Sequence, residues 1–515
     1  MKLSKTWLAA PASLLLMFSA ACGNNNESPS ASSAAPSSSA PAASASAAPA
    51  ETPKISIFTT DLAKTAPTSD SDPSIKYMEE KSGIDLDITF LPNSNYVDQL
   101  KLKFAANDLP DVYMGFGLTQ GDGALDNDLV LPLNDLIDQY GPNLKKNIPQ
   151  YAWDAVTVNG QIMAIPEPSN TPSSRLFYVR KDWMDNVGIT KIPATSDELL
   201  DMFRTFRDGD PNKNGQKDEI AFTMREQFSW VGDMIWGMWG ISPYEGIELD
   251  GEVVPGFLHP NMKEGLRFMQ TMYKEGLLDS EFLVNSSSIW VQKIESGIAG
   301  SWGQTPANAF AYHKRVADAL PNEAVDVITI PTPRGTGYDG PIGSVNFEVS
   351  KSYLVMKKAK DPAAVVKFFD WLFSDEGQIF TQIGVEGINY TVDNGEIKYD
   401  VNSEVANNTE WRNVFQMHMY NETAFNAKYK DQEREKMQNA LNISQSEGLE
   451  SLTMGMPALG QEIFDLYYEW FEPASRIIVQ GADVDATWDK FTKEWRQNGG
   501  QEMIDSMTTW VNNSK

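Results

Sequence analysis

A chain of 515 residues with one cysteine, Cys22, cannot close an intramolecular disulfide. Its three histidines, His259, His313 and His418, are scattered and lack the close His/Cys spacing of a zinc site. Positive charge is also short: 42 Lys and Arg stand against 70 Asp and Glu, a formal charge of −28. A nucleic-acid binder needs basic side chains to displace counterions from phosphates, so DNA and RNA are set aside as partners. There is no P-loop and no Gly-x-Ser-x-Gly nucleophile elbow. Gly335-Thr336-Gly337-Tyr338-Asp339-Gly340 has the spacing of a dinucleotide fingerprint, but Pro341 follows and the next segment reads as strand, whereas the fingerprint must open a helix. Carboxylates are too abundant for any pair to stand out as a catalytic acid and base, and no residue pattern gives a positive catalytic signal. No repeat of 20 to 50 residues appears, which excludes solenoids and propellers.

What is present begins with Lys2 and Lys5 and a mostly apolar stretch, Trp7 to Ala21. At 15 residues it is shorter than the ~20 that a membrane-spanning helix needs and fits the apolar region of a signal peptide. Ala20 and Ala21 ahead of Cys22 resemble the lipobox of bacterial lipoproteins. That resemblance implies that residues 1–21 are removed, that Cys22 is lipidated, and that the protein is anchored on the extracytoplasmic face of the cell membrane. Residues 22–53 are rich in Ser, Ala and Pro and form a tether that cannot bury a core.

The remaining length exceeds the ~250–300 residues at which one core usually splits, so two lobes are expected. Lys54–Phe58 alternates as a strand, Ser74–Ser82 has helical spacing, and Asp85–Phe90 alternates again, which predicts a β-α-β unit. Tyr96–Ala106 reads as a helix stopped by Asn107-Asp108-Leu109-Pro110, and a strand resumes at Asp111. Short helices continue to alternate with short strands, the pattern of a doubly wound α/β class.

Phe104-Ala105-Ala106-Asn107-Asp108-Leu109-Pro110-Asp111-Val112 is similar to a helix-turn-strand segment of the extracellular solute-binding proteins of ABC importers, in their carbohydrate-binding branch. Gly160–Pro166, Leu176–Met184, Pro193–Leu199, Asp361–Leu372 and Gly384–Tyr390 resemble further segments of that family in the same order. In Pro193–Leu199, Thr195 as N-cap with Glu198 three residues on forms a capping box. The resemblance implies a periplasmic-binding-protein-like fold of two discontinuous α/β lobes around a ligand cleft. Lobe one is placed at 54–167 plus 330–395 and lobe two at 168–329 plus 396–515. Pro166, Pro168 and Pro172 mark one crossing and Pro331 and Pro333 another, either as hinge stiffeners or as simple turns.

Trp230, Trp236 and Trp239 cluster near glycines, and Trp302 sits in Gly300-Ser301-Trp302-Gly303-Gln304. Glycines beside a tryptophan suit a loop that offers an indole face, and flat aromatic platforms match the C–H faces of sugar rings. Trp302, Trp230 and Trp236 are therefore candidate ligand contacts, whereas Trp153, Trp183, Trp371 and Trp470 lie in helix-like segments and read as core. The family-like loop adds Asn389 and Tyr390. Arg175, near the first crossing, either meets the ligand or caps a carboxylate between lobes.

Asp210-Pro211-Asn212-Lys213-Asn214-Gly215-Gln216-Lys217-Asp218-Glu219 begins like an EF-hand loop. Oxygen-bearing side chains of Asp210, Asn212, Asn214 and Asp218 surround a cation, and Gly215 permits the turn that aims the Gln216 carbonyl inward. Ala221 stands where the closing Glu would be, so Glu219 has to complete the shell. The same departure resembles the calcium loop of alginate- and oligosaccharide-binding members, which implies structural calcium. Together these features describe a monomeric, lipid-anchored receptor, not an enzyme, that captures an oligosaccharide and presents it to an ABC transporter permease. An exported polysaccharide-degrading enzyme and a receptor for peptide or another small solute are the alternatives.

Overall fold

The alternating segment at Lys54 folds as strand β1 (Lys54–Thr60) and leads through the helix Pro73–Ser82 into β2 (Asp85–Leu91), which pairs with it in parallel. The computed structural model describes residues 52–514 apart from 62–65, 68–71, 119–121, 126, 170, 229, 231, 348, 418–419, 455 and 457–465. The signal peptide, Cys22 and nearly all of the tether lie outside the described residues. Asp72 starts the first helix by accepting from the Ser74 and Ile75 amides at 2.8 and 3.2 Å, and Pro73 occupies its first turn. The helix Tyr96–Ala105 gives way at Asn107, whose φ of +58° lies in the left-handed region that asparagine tolerates. The chain then returns as β3 (Val112–Gly115), parallel to β1.

The first sheet has the order β2-β1-β3-β12-β6, with β6 at Ile165–Pro168 and β12 at Val349–Val355. Because β12 is antiparallel to both neighbours, β2, β1, β3 and β6 all point their C-terminal ends the same way, and β12 enters from that end. Pro166 and Pro168 are accommodated because β6 is an edge strand. Three two-stranded hairpins also form: β4 (Thr157–Val158) with β5 (Gln161–Ile162), β8 (Gly246–Leu249) with β9 (Glu252–Pro255), and β13 (Tyr390–Asp393) with β14 (Glu396–Tyr399).

A second sheet is centred on β7 (Leu176–Arg180), flanked by β10 (Ser301–Gln304) and β11 (Val327–Ile330). Both pairings are antiparallel, so the parallel winding expected from the strand–helix alternation is confined to the first sheet. Side chains of β7 alternate as the pleat requires. Phe177 and Val179 enter the larger core with Leu199, Phe203 and Phe206, while Leu176 and Tyr178 enter a smaller one with Trp290, Trp302 and Val316. The capping box is realised: Thr195 Oγ1 accepts from the Glu198 amide at 3.2 Å, and the Glu198 carboxylate accepts from the Ala194 amide at 2.7 Å.

The chain passes between the two sheets at 169–175 and again at 331–348. A third crossing falls at the helix Glu422–Lys428, and this corrects the expected boundary at 396. Trp411, Val414, Phe415 and Met417 pack into the first core; Ala424 and Ala427 of that helix pack with Ile383 of the first lobe, while its Phe425 and the later Met437 pack beside the second sheet. Tyr353 donates to the Val414 carbonyl at 2.7 Å, and Arg412 Nε donates to the Phe380 carbonyl at 3.0 Å. The Arg412 fork also bridges the buried Glu404 carboxylate.

Burial alone would raise the Glu404 carboxyl, but bonds from Arg412, Thr409 and Tyr399 outweigh it and hold it below the usual range. A carboxyl lowered in the folded state contributes stability above its unfolded value, ~4.3, and loses it as pH falls through the folded value. Arg412→Ala leaves that carboxylate buried and unpaired, so it is expected to cost about 3–5 kcal/mol in chemical denaturation at pH 7. The gap from the unmodified protein should narrow on acidification, as the stranded carboxyl protonates. A gap that stays constant with pH would show that Glu404 does not anchor this segment through its charge.

Candidate functional site

In open α/β sheets ligands collect at the carboxyl ends of the strands. Here that is the end of the first sheet from which the crossings leave, and three exposed aromatic residues stand there. Phe116 follows β3 between Gly115 and Gly117, 45% exposed, packed edge-to-face on Tyr96 with ring centroids 5.9 Å apart. Phe347 precedes β12 and donates its amide to the Pro172 carbonyl at 3.0 Å, and Tyr151 places its hydroxyl 3.4 Å from the Ser169 carbonyl. Sequence reasoning singled out none of them. The available signal was Gly-Phe-Gly at a strand's C-terminal end, where a core ring has no reason to sit between glycines.

Across the first crossing the structure brings two expected residues together. Trp230 lies under two guanidinium groups, with Arg175 Cζ 4.5 Å and Arg225 Cζ 4.3 Å from its ring centroid. Arg175 Nη1 donates to Asp233 Oδ2 at 2.7 Å, so it does cap a carboxylate, though one within the second lobe. Arg225 also reaches Trp290, at 5.3 Å, which gives an alternating Arg175–Trp230–Arg225–Trp290 stack. Cation–π contacts of this kind hold the guanidinium planes. The Nε atoms of Arg175 and Arg225, Trp230 Nε1 and Asp233 Oδ1 are buried without a hydrogen-bond partner.

The remaining expected contacts are elsewhere. Trp302 is not in a loop: it is a fully buried residue of β10, opposite Tyr178 in the ladder and stacked on its ring at 6.1 Å. Gly300 is small because a Cβ there would come within 2.7 Å of the Trp183 ring, which is a packing requirement and not a loop signal. Trp236 is likewise buried, on the helix Gly232–Gly237, where Gly265 admits its ring: a Cβ at Gly265 would lie 2.7 Å away. Asn389 is buried and structural, accepting from the Val385 amide at 3.0 Å and donating to Thr409 Oγ1 at 2.9 Å. Tyr390 is half-buried beside Glu376 and Lys81. Lys81 closes the helix that leads into β2, at the end of the first sheet opposite the crossings.

The Asp210–Glu219 loop is folded by its own side chains. The Gly215 amide donates to the Asp210 carboxylate, the Gln216 amide to Asn214 Oδ1 at 2.6 Å, and Asn214 Nδ2 to Asp218 Oδ1 at 3.0 Å. Asp210 and Gly215 both take positive φ, +47° and +72°. Among the described residues no three His, Cys, Asp or Glu side chains converge as a metal cluster. This loop is mixed in its donors, with Asn212, Asn214 and the backbone beside three acids. Glu219 Oε1 is buried with no partner. Burial first, and then the charges of Asp218 and Asp210, push its carboxyl above the usual range. An orphaned carboxylate oxygen beside two like charges fits a hard cation that prefers many oxygen ligands.

A family model for bacterial extracellular solute-binding proteins matches residues 58–379. The lipoprotein LipO of Bacillus subtilis (strain 168) is 26% identical over 419 residues, 76% of this chain and 75% of its own. The polygalacturonan/rhamnogalacturonan-binding protein YtcQ of the same organism is 24% identical over 449 residues, 84% of this chain and 86% of its own. Among solved structures, the Streptococcus pneumoniae ABC-transporter substrate binding protein FusA, as an EF-hand mutant in complex with fructo-nystose, is similar in fold. Its TM-score is 0.61 at 19% identity, over 89% of this chain and 99% of that one.

The core position of Trp302 sets its mutational signature. Trp302→Ala should cost about 3–5 kcal/mol of folding stability in chemical denaturation, as for a truncated core aromatic. A stability change within ~1 kcal/mol, as at a surface site, accompanied by lost ligand affinity, would return it to the binding surface.

Proposed function

The chain belongs to the bacterial extracellular solute-binding proteins, and we propose that it is the lipid-anchored carbohydrate receptor of an ABC importer. Membership of that family sets aside the polysaccharide-degrading enzyme as an alternative. The observation that carries the carbohydrate reading is the set of exposed rings, Phe116, Tyr151 and Phe347, at the strand ends where the chain crosses between lobes. Aromatic faces there stack on the C–H faces of a sugar, while Trp230 and Arg175 on the second lobe supply an indole edge and a fixed cation. The names of YtcQ and FusA, which specify a polysaccharide and a fructo-oligosaccharide complex, support the same class of ligand.

No covalent chemistry is required. Contacts made to both lobes exist only in a closed arrangement, so an oligosaccharide favours closure by the difference in its affinity for the two states. The permease then reads closure. Asp210, Asn212, Asn214, Asp218 and Glu219, with the Gln216 carbonyl, would hold calcium, whose charge offsets the repulsion among three carboxylates and fixes the loop after the helix Ser196–Asp208. Its role is structural.

In a thermal-shift screen, a binding oligosaccharide should raise the melting temperature, by RT ln(1 + [L]/Kd) at the stability level. Phe116→Ala should cut affinity by roughly 1–3 kcal/mol, by analogy with base–aromatic stacking, and leave folding intact. Chelation should lower the melting temperature, and Asp210→Ala should reproduce that loss and remove further sensitivity to chelator. Absence of any shift across a broad set of oligosaccharides would sink the carbohydrate reading, and an unchanged melting temperature after chelation would sink the calcium site.

Among the described residues no helix is long and apolar enough to cross a membrane. Anchoring therefore rests on lipidation of Cys22, for which the short apolar leader and the name of LipO are the support. Cys22→Ala should move the protein out of the lipid-modified membrane fraction with ligand binding unchanged. A mature N-terminus mapped to any residue other than 22 overturns the anchor.

A further inference from the structure

The second lobe holds a cavity of about 750 Å³, within the size range of small-molecule sites. It abuts the first crossing, because Gln304 and Thr305 on its wall sit at the end of β10 that pairs with Leu176, and Trp230 on its wall is stacked under Arg175. Its charge differs from that of the chain as a whole. Arg225 and Arg315 line it, and among the described residues no Asp or Glu does. The other walls are mainly hydroxyl, amide and aromatic groups.

Both guanidinium groups keep unused donors. Arg225 bridges its neighbour Glu226 through Nη1, while its Nε is buried without a partner. Arg315 meets Glu295 through Nε at 2.9 Å, which leaves its two terminal nitrogens without a hydrogen-bonded acceptor among the described residues. A guanidinium carries five N–H donors, so one acid partner does not satisfy either group. Stacking between Trp230 and Trp290 fixes the Arg225 plane, and Arg315 Cζ lies 5.5 Å from the Tyr312 ring. The nine-residue helix Ser287–Glu295 also opens at this wall, with Ser286 as its cap and no acidic residue in its first turn. Its positive end adds to the field of the two arginines.

We propose that this cavity is the subsite for a carboxylate-bearing ring of the transported sugar, a uronate. The inference rests on the carbohydrate reading above and narrows it to acidic oligosaccharides. Two planar forks beside hydroxyl and amide donors match a ring that carries one carboxylate among several hydroxyls. A neutral sugar offers both guanidinium groups only hydroxyl and ring oxygens, which are weaker acceptors than a carboxylate.

Calorimetry on the full-length folded protein tests this with four probes: trigalacturonate, its methyl ester, a neutral galacto-trisaccharide, and free galacturonate. Trigalacturonate should bind about tenfold or more tighter than the ester, the order expected for one charge-assisted hydrogen-bonding pair. Free galacturonate separates recognition of the carboxylate alone from recognition of it on an oligosaccharide, and should bind more weakly than the trimer. Arg315→Gln and Arg225→Gln should each erase most of the acid-over-ester preference. Arg315 is half-exposed, so its variant remains informative even where Arg225→Gln fails to fold. Equal affinity for acid and ester, or a preference that survives Arg315→Gln with fold intact, overturns the uronate subsite and leaves the carbohydrate reading standing. Binding of neither acidic nor neutral trisaccharide refutes both.

Discussion

Neither sheet extends through residues 169–175 and 331–348, and the two crossings pair with each other instead: the Ser174 amide donates to the Val345 carbonyl at 3.3 Å and the Phe347 amide to the Pro172 carbonyl at 3.0 Å, about an isolated antiparallel bridge between Ser173 and Asn346. Buried serine hydroxyls add to these bonds. The Arg175 amide donates to Ser344 Oγ at 2.8 Å, the hydroxyls of Ser173 and Ser174 each lie 3.1 Å from that oxygen, and Ser444 Oγ donates to the Ser173 carbonyl at 3.0 Å. A hydroxyl is one rotatable donor with two acceptor lone pairs, so it can re-aim where a ladder cannot. Two glycines set how closely these segments approach: a Cβ on Gly343 would sit 2.8 Å from the Gly448 amide nitrogen, and one on Gly448 would overlap Asn346. Arg175, whose side chain stacks on Trp230, belongs to the same knot. The position of that cation and the backbone path of the crossing thus depend on one cluster of bonds.

The first sheet was legible because its signals are local. The period-two alternation at Lys54 and Asp85, the helical spacing of Ser74–Ser82, and the Asn107 stop each depend on a few neighbours. All three appear where the pattern puts them. In the second sheet β7 falls in a family-like segment, but β10 reads as a loop because its four residues, Ser-Trp-Gly-Gln, carry no alternation, and strand direction is not legible, since an antiparallel and a parallel strand carry the same side chains. The third crossing was hidden for a related reason. Trp411-Arg412-Asn413-Val414-Phe415 reads as helix or loop in either lobe, and only the long-range bonds of Arg412 to the Phe380 carbonyl and of Tyr353 to the Val414 carbonyl assign it to the first.

For the site, glycine beside an aromatic residue proved to be two signals with one spelling. At Gly300 and Gly265 the missing Cβ makes room for the Trp183 and Trp236 rings inside a core. At Gly117 nothing lies within 4 Å of the position a Cβ would take, and the adjacent Phe116 is exposed. What separates the cases is the element's place in the sheet. β10 is covered on the face that carries Trp302, whereas β3 ends at Gly115 on the open side of the first sheet. Tryptophan was favoured as the platform because glycines stand beside it, yet its large apolar area is the reason it is buried here.

Formal charge shows the same division between the whole and the part. A value of −28 opposes a polyanion at long range, but in physiological salt charges more than ~8 Å apart are largely screened, so recognition depends on what lies within one Debye length of the ligand. Around the second-lobe cavity that is a helix start and two guanidinium groups, each paired with a carboxylate, Glu226 or Glu295, that does not itself line the cavity. The acidic excess slows the encounter of an anionic sugar, while the contacts that hold it once seated are set by Arg225 and Arg315. Raising ionic strength should therefore act in opposite senses on association and on residence. The balance between them is decided by how dry the cavity becomes when the lobes close, because desolvation strengthens the bound contacts and leaves the encounter unchanged.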